Sequence, residues 1–448
     1  MFSFFKVQND LIVLNNYVKK ALLYFNKSIC SGMIEIKKTY SYLCSSRLGC
    51  IDSIECYNSV NHIVTTYNSY RQAVVCSSDS SIGGIYRSID KSIDLSKYVQ
   101  PDSCCGLPKK DLLFDNKKTI NLFFPHQFSN NDIKNILDIT NTAALHFDSR
   151  IINIENATFE CFVSVTFLGN SSGWIGSYLS TYYYLSSCVI AGQDNLMERD
   201  YYYTVSRDFN DLECPSYVGQ HSAKKSLSRL FSKKIATQIS PVIFISDIAS
   251  EFFGYLVNAA NGYSIYKKYT FLLNYLNKKV FPAWFNIFEN PFLEKGLSSR
   301  LFDDEGVSTM ARNIIENGIL TTWLLDTYTS NQLNMNNTGH AGGIYNWIVS
   351  SSQPTKSFEN LLHTMNRGFL VTELLGDGVN IVTGDYSRGA CGFWINQGRI
   401  QYPVSEVTIS GNLIDMWNNI VAISDDINYK SNIQCASVLV DKIQISGC

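Results

Sequence analysis

Charge is scarce in this sequence. Only 17% of its 448 residues are charged, and 37 Lys and Arg nearly balance 39 Asp and Glu, for a formal net charge of −2. Neither nucleic acid nor an anionic membrane surface is therefore expected as the main partner, because both are recognised through an excess of positive charge. No apolar run approaches the ~18 residues of a membrane-spanning helix. The opening Met1-Phe2-Ser3-Phe4-Phe5-Lys6 is too short for the apolar core of a signal peptide. The 13 cysteines include no C-x-x-C, and Cys44, Cys50 and Cys56, at steps of six, match no zinc module. Free thiols in a reducing cytosol are the expectation. None of the six histidines (His62, His126, His146, His221, His340, His363) belongs to an H-E-x-x-H. That pattern sets two imidazoles on one helical face beside a water-activating glutamate, so a self-contained zinc site of this kind is not expected.

What is present is enough apolar material, 45% of the chain, for more than one core. A single core rarely keeps growing at this length, which predicts two domains. Leu11, Leu14, Val18, Ala21, Leu22 and Phe25 recur at helical spacing, and Ile85, Ile89 and Ile93 mark a second helix. Short strands are read around Met33 to Leu43, Ile54 to Thr66 and Ala73 to Cys76. Pro101, Pro108 and Pro125 punctuate a loop, and a helix opens near Ser129. Phe159, Cys161, Val163, Val165 and Phe167 alternate into a hairpin turned at Gly169-Asn170-Ser171-Ser172-Gly173. Beyond Ser240-Pro241 come the strand Val242-Ile243-Phe244-Ile245, a broadly apolar helix through Phe252 and Leu256, and a type I′ turn signal at Asn317-Gly318. The expected fold class is α+β. An N-terminal domain of helices on antiparallel strands spans 1–236, with a sub-boundary near 100–128, and a C-terminal, mainly antiparallel β domain with a few helices spans 237–448. Richness in Asn, Ile, Lys, Tyr and Phe reads as low-GC codon bias, so the tyrosine triplets carry no functional weight.

The glycine-rich stretch 372–412 holds the main candidates. Gly384-Asp385-Tyr386-Ser387-Arg388-Gly389 is read as a loop that either approaches a ligand or is a solvated turn. Further on, Gly398 is expected to end a three-residue hairpin turn. Glu373 is suited to a cation or a peptide amine and Arg388 to a peptide carboxylate, or each to an internal ion pair. His340, in Thr338-Gly339-His340-Ala341-Gly342-Gly343, either faces a groove or bonds to its own loop. Cys391 is either the nucleophile partnered by His340 or a buried strand thiol.

Met197-Glu198-Arg199-Asp200-Tyr201, Phe302-Asp303-Asp304-Glu305-Gly306, Asn313 to Leu320, Thr338 to Gly343, and above all 372–412 resemble the TldD/PmbA metallopeptidase family on its PmbA-like (TldE-like) side. The likeness implies a cytosolic bacterial system of two related subunits acting on peptides and unstructured segments. In that system the TldD-type subunit carries zinc on H-E-x-x-x-H plus a cysteine. The matching stretch here is Ser250-Glu251-Phe252-Phe253-Gly254-Tyr255, with Ser250 and Tyr255 where histidines would stand, and Cys435 near the ligand cysteine. Serine and tyrosine are poor zinc ligands. The resemblance therefore implies a non-catalytic subunit without its own metal, paired with a zinc-bearing TldD-like chain or with a second copy of itself. His340, Glu373, Asp385, Tyr386, Ser387 and Arg388 would then line the substrate groove or the subunit interface. Two alternatives stay open: a self-sufficient hydrolase, either a homodimer with an atypical metal site or a Cys391/His340 enzyme, and a non-hydrolytic peptide-binding homodimer.

Overall fold

The structure is a computed structural model that describes residues 4–47, 49–115 and 117–447. Its first part is one antiparallel sheet backed by helices. Strands β1 (Ser31–Arg47), β2 (Cys50–Asn68), β3 (Arg71–Ser77), β4 (Ile151–Asn170), β5 (Ile175–Gln193) and β6 (Leu196–Ser206) lie in the order β3-β2-β1-β4-β5-β6. Helix α1 (Phe4–Lys27) buries the predicted stripe of Leu14, Val18, Ala21, Leu22 and Phe25 against Ile34, Ile36, Val165 and Phe167. Beside it lies α2 (Ile82–Ser96), which starts where the Ser81 side chain accepts from Gly84 N, and its Ile85 and Ile89 join the same core. The Ser129/Asp132 capping box opens α3 (Asn130–Leu145), and Pro215 occupies the first turn of α4 (Pro215–Ser228).

From residue 238 onward there are two sheets. The strands β8 (Phe285–Asn290), β9 (Arg312–Glu316), β10 (Ile319–Leu320), β11 (Asn346–Ser351) and β17 (Ile433–Gln434) run in the order β10-β9-β8-β11-β17. The other sheet contains β7 (Gln238–Phe244), β12 (Gly368–Leu375), β13 (Val379–Asn380), β14 (Asp385–Asn396), β15 (Arg399–Asn412), β16 (Ile420–Ile423) and β18 (Val438–Ser446). Its path β12-β7-β18-β15-β14 returns on itself, because β14 also pairs with β12. Closure leaves few free edges on this path, although β15 pairs with β18 only at Thr408, Ile409 and Ser410. Pairing is antiparallel except for β7 with β12 and β11 with β17. Helix α5 (Ser246–Ala260) buries Phe252, Phe253, Leu256 and Ala259 in the core shared by both sheets, with Phe252 stacked on Phe244. The α+β class stands.

Two local expectations give way. Gly384-Asp385-Tyr386-Ser387-Arg388-Gly389 is not a loop: the turn ends at Gly384 (φ 81°) and Asp385 opens β14. Tyr386 pairs with both Val379 and Gly411, and side chains alternate, with Tyr386 and Arg388 buried and Asp385 and Ser387 exposed. Ladder bonds from neighbouring strands override a composition that reads as a turn. The hairpin beyond it turns in two residues, Gln397 (φ 53°) and Gly398 (φ 69°), with Asn396 opposite Arg399. The extra residue expected in the turn sits instead at Gln401, which is skipped in the pairing between Ile395/Ile400 and Trp394/Tyr402. The Asn317-Gly318 turn takes the predicted positive φ at both residues, 50° and 79°.

The close approach of β12 to β14 depends on Gly392, where an added Cβ would stand 1.8 Å from the Leu370 carbonyl oxygen. Backbone cannot swing aside as a flexible side chain does. Gly392→Ala is thus expected to destabilise the chain by ~1–3 kcal/mol. Denaturant titration checks this, and an unchanged midpoint would mean that the strands part without strain.

Candidate functional site: a guanidinium between α5 and β14

Glu251 and Tyr255 stand one helical turn apart on α5, so both side chains project from one face of the helix. Across from that face, β14 supplies Arg388. Its Nη1 donates to Glu251 Oε1 at 2.6 Å and to the Tyr255 hydroxyl at 2.5 Å, while the Tyr255 hydroxyl lies 3.4 Å from Glu251 Oε1. The Arg388 side chain is only 6% exposed, whereas Glu251 is 46% exposed. Burial works against the Arg388 charge, but Glu251 more than offsets this and holds the guanidinium above its ordinary range. Burial, then the Glu251 charge, raises the Tyr255 phenol. Tyr386 packs its ring edge-on against Tyr255, with centroids 6.0 Å apart, and its buried hydroxyl has no hydrogen-bond partner among the described residues.

At the positions the resemblance aligns with zinc ligands, the side chains are already engaged. Ser250 Oγ donates to the Asp247 carbonyl within its own helix, Tyr255 is a neutral phenol, and the Glu251 carboxylate is already engaged by a fixed cation. The Cys435 thiol is fully buried against the Ser246 carbonyl oxygen (3.5 Å), and burial pushes its pKa up, away from the thiolate a metal requires. Among the described residues no group of three or more His, Cys, Asp or Glu side chains is placed to hold a metal.

The remaining sequence candidates lie elsewhere. His340 is buried, with Nε2 2.9 Å from Glu289 Oε2 and Nδ1 2.8 Å from Thr338 Oγ1, so it faces the interior rather than a groove. Cys391 is buried on β14 among Arg229, Glu373 and Glu198, and burial raises its thiol pKa. The two share no partner, so the nucleophile–base pair is not assembled. Glu373 is held by Arg229 Nη1 at 2.5 Å, at the end of α4, and is thus one half of an ion pair joining the two parts of the chain. Asp385 accepts from Thr383 Oγ1, and Ser387 points outward from β14. The family resemblance singled out Ser250, Glu251 and Tyr255, but no local pattern pointed to Arg388 as their partner, and none pointed to Glu289 or Arg229.

Comparison with known proteins places this scaffold among metallopeptidase-type folds. The PmbA/TldA metallopeptidase central domain matches residues 125–230 and the PmbA/TldA metallopeptidase C-terminal domain matches residues 237–447. Metalloprotease PmbA of Escherichia coli O157:H7 is 43% identical over 443 residues, covering 99% of this chain and 98% of that one. The chain belongs to the PmbA/TldD metallopeptidase family and is PmbA-like within it. Its fold is shared with a solved Bacteroides thetaiotaomicron protein (TM-score 0.91, 24% identity, 97% of this chain and 99% of that one). It is also shared with TldE from Thermococcus kodakarensis (TM-score 0.81, 17% identity, 97% and 100%).

Proposed function

We propose that this chain is the non-catalytic, TldE-like subunit of a cytosolic zinc-dependent peptidase system acting on peptides or unstructured segments. Zinc resides in a TldD-like partner, and this chain contributes substrate groove and subunit interface. The observation that carries the reading is the Arg388 guanidinium at 2.6 Å from Glu251, on the helix face where the family's metal chemistry would lie. A fixed monocation there repels a dication and occupies the carboxylate that would otherwise handle a water proton. An inactive half still has a use, because a peptide laid out as an added strand needs a sheet edge and alternating pockets, and either subunit can supply them. The unassembled Cys391/His340 pair removes support from the self-sufficient nucleophilic alternative.

Metal analysis of the purified chain, with peptidase assays with and without a TldD-type chain, tests this. The expected result is far less than one zinc per chain, no activity alone, and activity only in the mixture. One tightly bound zinc per chain, with activity lost on chelation, overturns it.

A further inference from the structure

A cavity of about 380 Å³ lies between the first sheet and the loops of the second part, and neither Arg388, Glu251 nor Tyr255 lines it. Its floor is one face of the sheet: Lys37, Thr166 and Tyr178 form a row across β1, β4 and β5, with Ser164 and Ser180 paired in the adjacent row. Its roof is built by Ser298 to Arg300 and Gly342 to Tyr345. Three cations face this space, and they are not equivalent. Arg300 is neutralised by Asp304 at 2.5 Å and lies over the Tyr178 ring. Lys37 is exposed on β1. Arg207 has no carboxylate partner among the described residues. Its Nε donates to Gly296 O (2.8 Å), Nη2 to Leu297 O (2.5 Å) and Nη1 to Thr181 O (3.3 Å). Two of its guanidinium N–H groups are left over.

Even a partly buried cation such as Arg207 is normally paired, because moving a charge out of water without a counter-charge is costly. Burial and the neighbouring Arg300 push the Arg207 guanidinium down to about 10. The carbonyl grip fixes the fork in place before any ligand arrives, which lowers the ordering cost of binding. Of the acids nearby, Asp304 is engaged by Arg300, and Glu35 is shifted toward its neutral form by burial and by Asp304.

We infer that this cavity is an oxyanion-binding site, in which Arg207 and Lys37 hold a carboxylate or phosphate group and the Ser164 and Ser180 hydroxyls complete its hydrogen bonds. The group has two sources with the same chemistry, the terminal carboxylate of a peptide and a free phosphate. The site lies within this chain and does not depend on a zinc-bearing partner, so failure of the subunit reading would leave it intact.

Calorimetric titration of the full chain at constant ionic strength tests the inference with three probes: inorganic phosphate, a short uncharged-side-chain peptide with a free C-terminus, and the same peptide amidated. Binding of phosphate or of the free-carboxylate peptide is expected, with no binding of the amidated one. Affinity should fall about tenfold or more in Arg207→Gln. Because Arg207 also ties three carbonyls, Lys37→Gln serves as the second variant, the Lys37 side chain being exposed on β1. It should weaken binding while leaving the thermal midpoint unchanged. Phosphate alone binding identifies a free anion as the source, and the free-carboxylate peptide alone identifies a chain terminus. No binding by either, or affinities untouched in both variants, overturns the proposal.

Discussion

Glu289→Ala is expected to lower the stability of this chain by ~3–5 kcal/mol, the range seen when a buried charged partner is removed from the groups it satisfies. Glu289 is fully buried on β8, and its two oxygens serve three donors: His340 Nε2 at 2.9 Å, Tyr345 N at 3.1 Å and the Trp347 indole at 3.0 Å. Arg312 Nε lies at 4.0 Å and supplies the nearest positive charge. A carboxylate only accepts, so the imidazole proton faces it from Nε2 and Nδ1 turns toward Thr338. Alanine would strand an imidazole N–H, an indole N–H and an amide together, beside a volume that neighbours fill only in part. Glu289→Gln keeps the volume and one acceptor and should cost clearly less. Denaturant titration of both variants checks the order. A Glu289→Ala variant as stable as the parent would mean that the three donors find other partners. The same measurement separates two views of His340. As a bonded core residue, its replacement by alanine should lower the denaturation midpoint, whereas a groove residue would leave the midpoint unchanged and lower only the activity of the mixture with a TldD-type chain.

The elements that could be read from the sequence are those whose own residues decide them. The stripe of α1 and the Ile85/Ile89 face of α2 announce their period, and Ser129 and Asp132 announce a helix start. Alternation from Phe159 to Phe167 gave the β4–β5 hairpin, and Asn317-Gly318 gave a turn that only positive φ allows. What failed was decided by distant chain. Asp385 to Gly389 became strand because β12, β13 and β15 offer it hydrogen bonds, which no local composition records. The site divides in the same way. That Glu251 and Tyr255 share a face follows from helical geometry, but Arg388 reaches them across 137 residues of sequence. Glu289 carried no signal at all, because a lone glutamate in a strand reads as surface until its three donors converge on it from residues 51 to 58 positions away. Arg388 and Glu373 were each open to an ion-pair reading, and both turn out to be paired, with Glu251 and Arg229 respectively.

Removing either member of the Arg388–Glu251 pair should have unequal consequences. Glu251→Ala leaves a guanidinium whose side chain is 6% exposed, held among the described residues by the Tyr255 hydroxyl and a 3.5 Å approach to the Leu375 carbonyl. Water reaches the pair from the Glu251 side, so the penalty falls below that of a sealed ion pair, to ~2 kcal/mol. Arg388→Met leaves a carboxylate that is 46% exposed and free to turn into solvent, and the methionine chain refills most of the aliphatic path. That loss should stay under ~1 kcal/mol, the ordinary worth of a half-solvated ion pair. Chemical denaturation of the two variants and of the double replacement measures the difference, and the double variant should be more stable than Glu251→Ala alone, since it removes the stranded cation. Equal losses for the two single variants would show that the guanidinium is hydrated without Glu251. In that case Glu251 would not be its required counter-ion, and the Arg388–Glu251 pair would have no energetic hold on the α5 face.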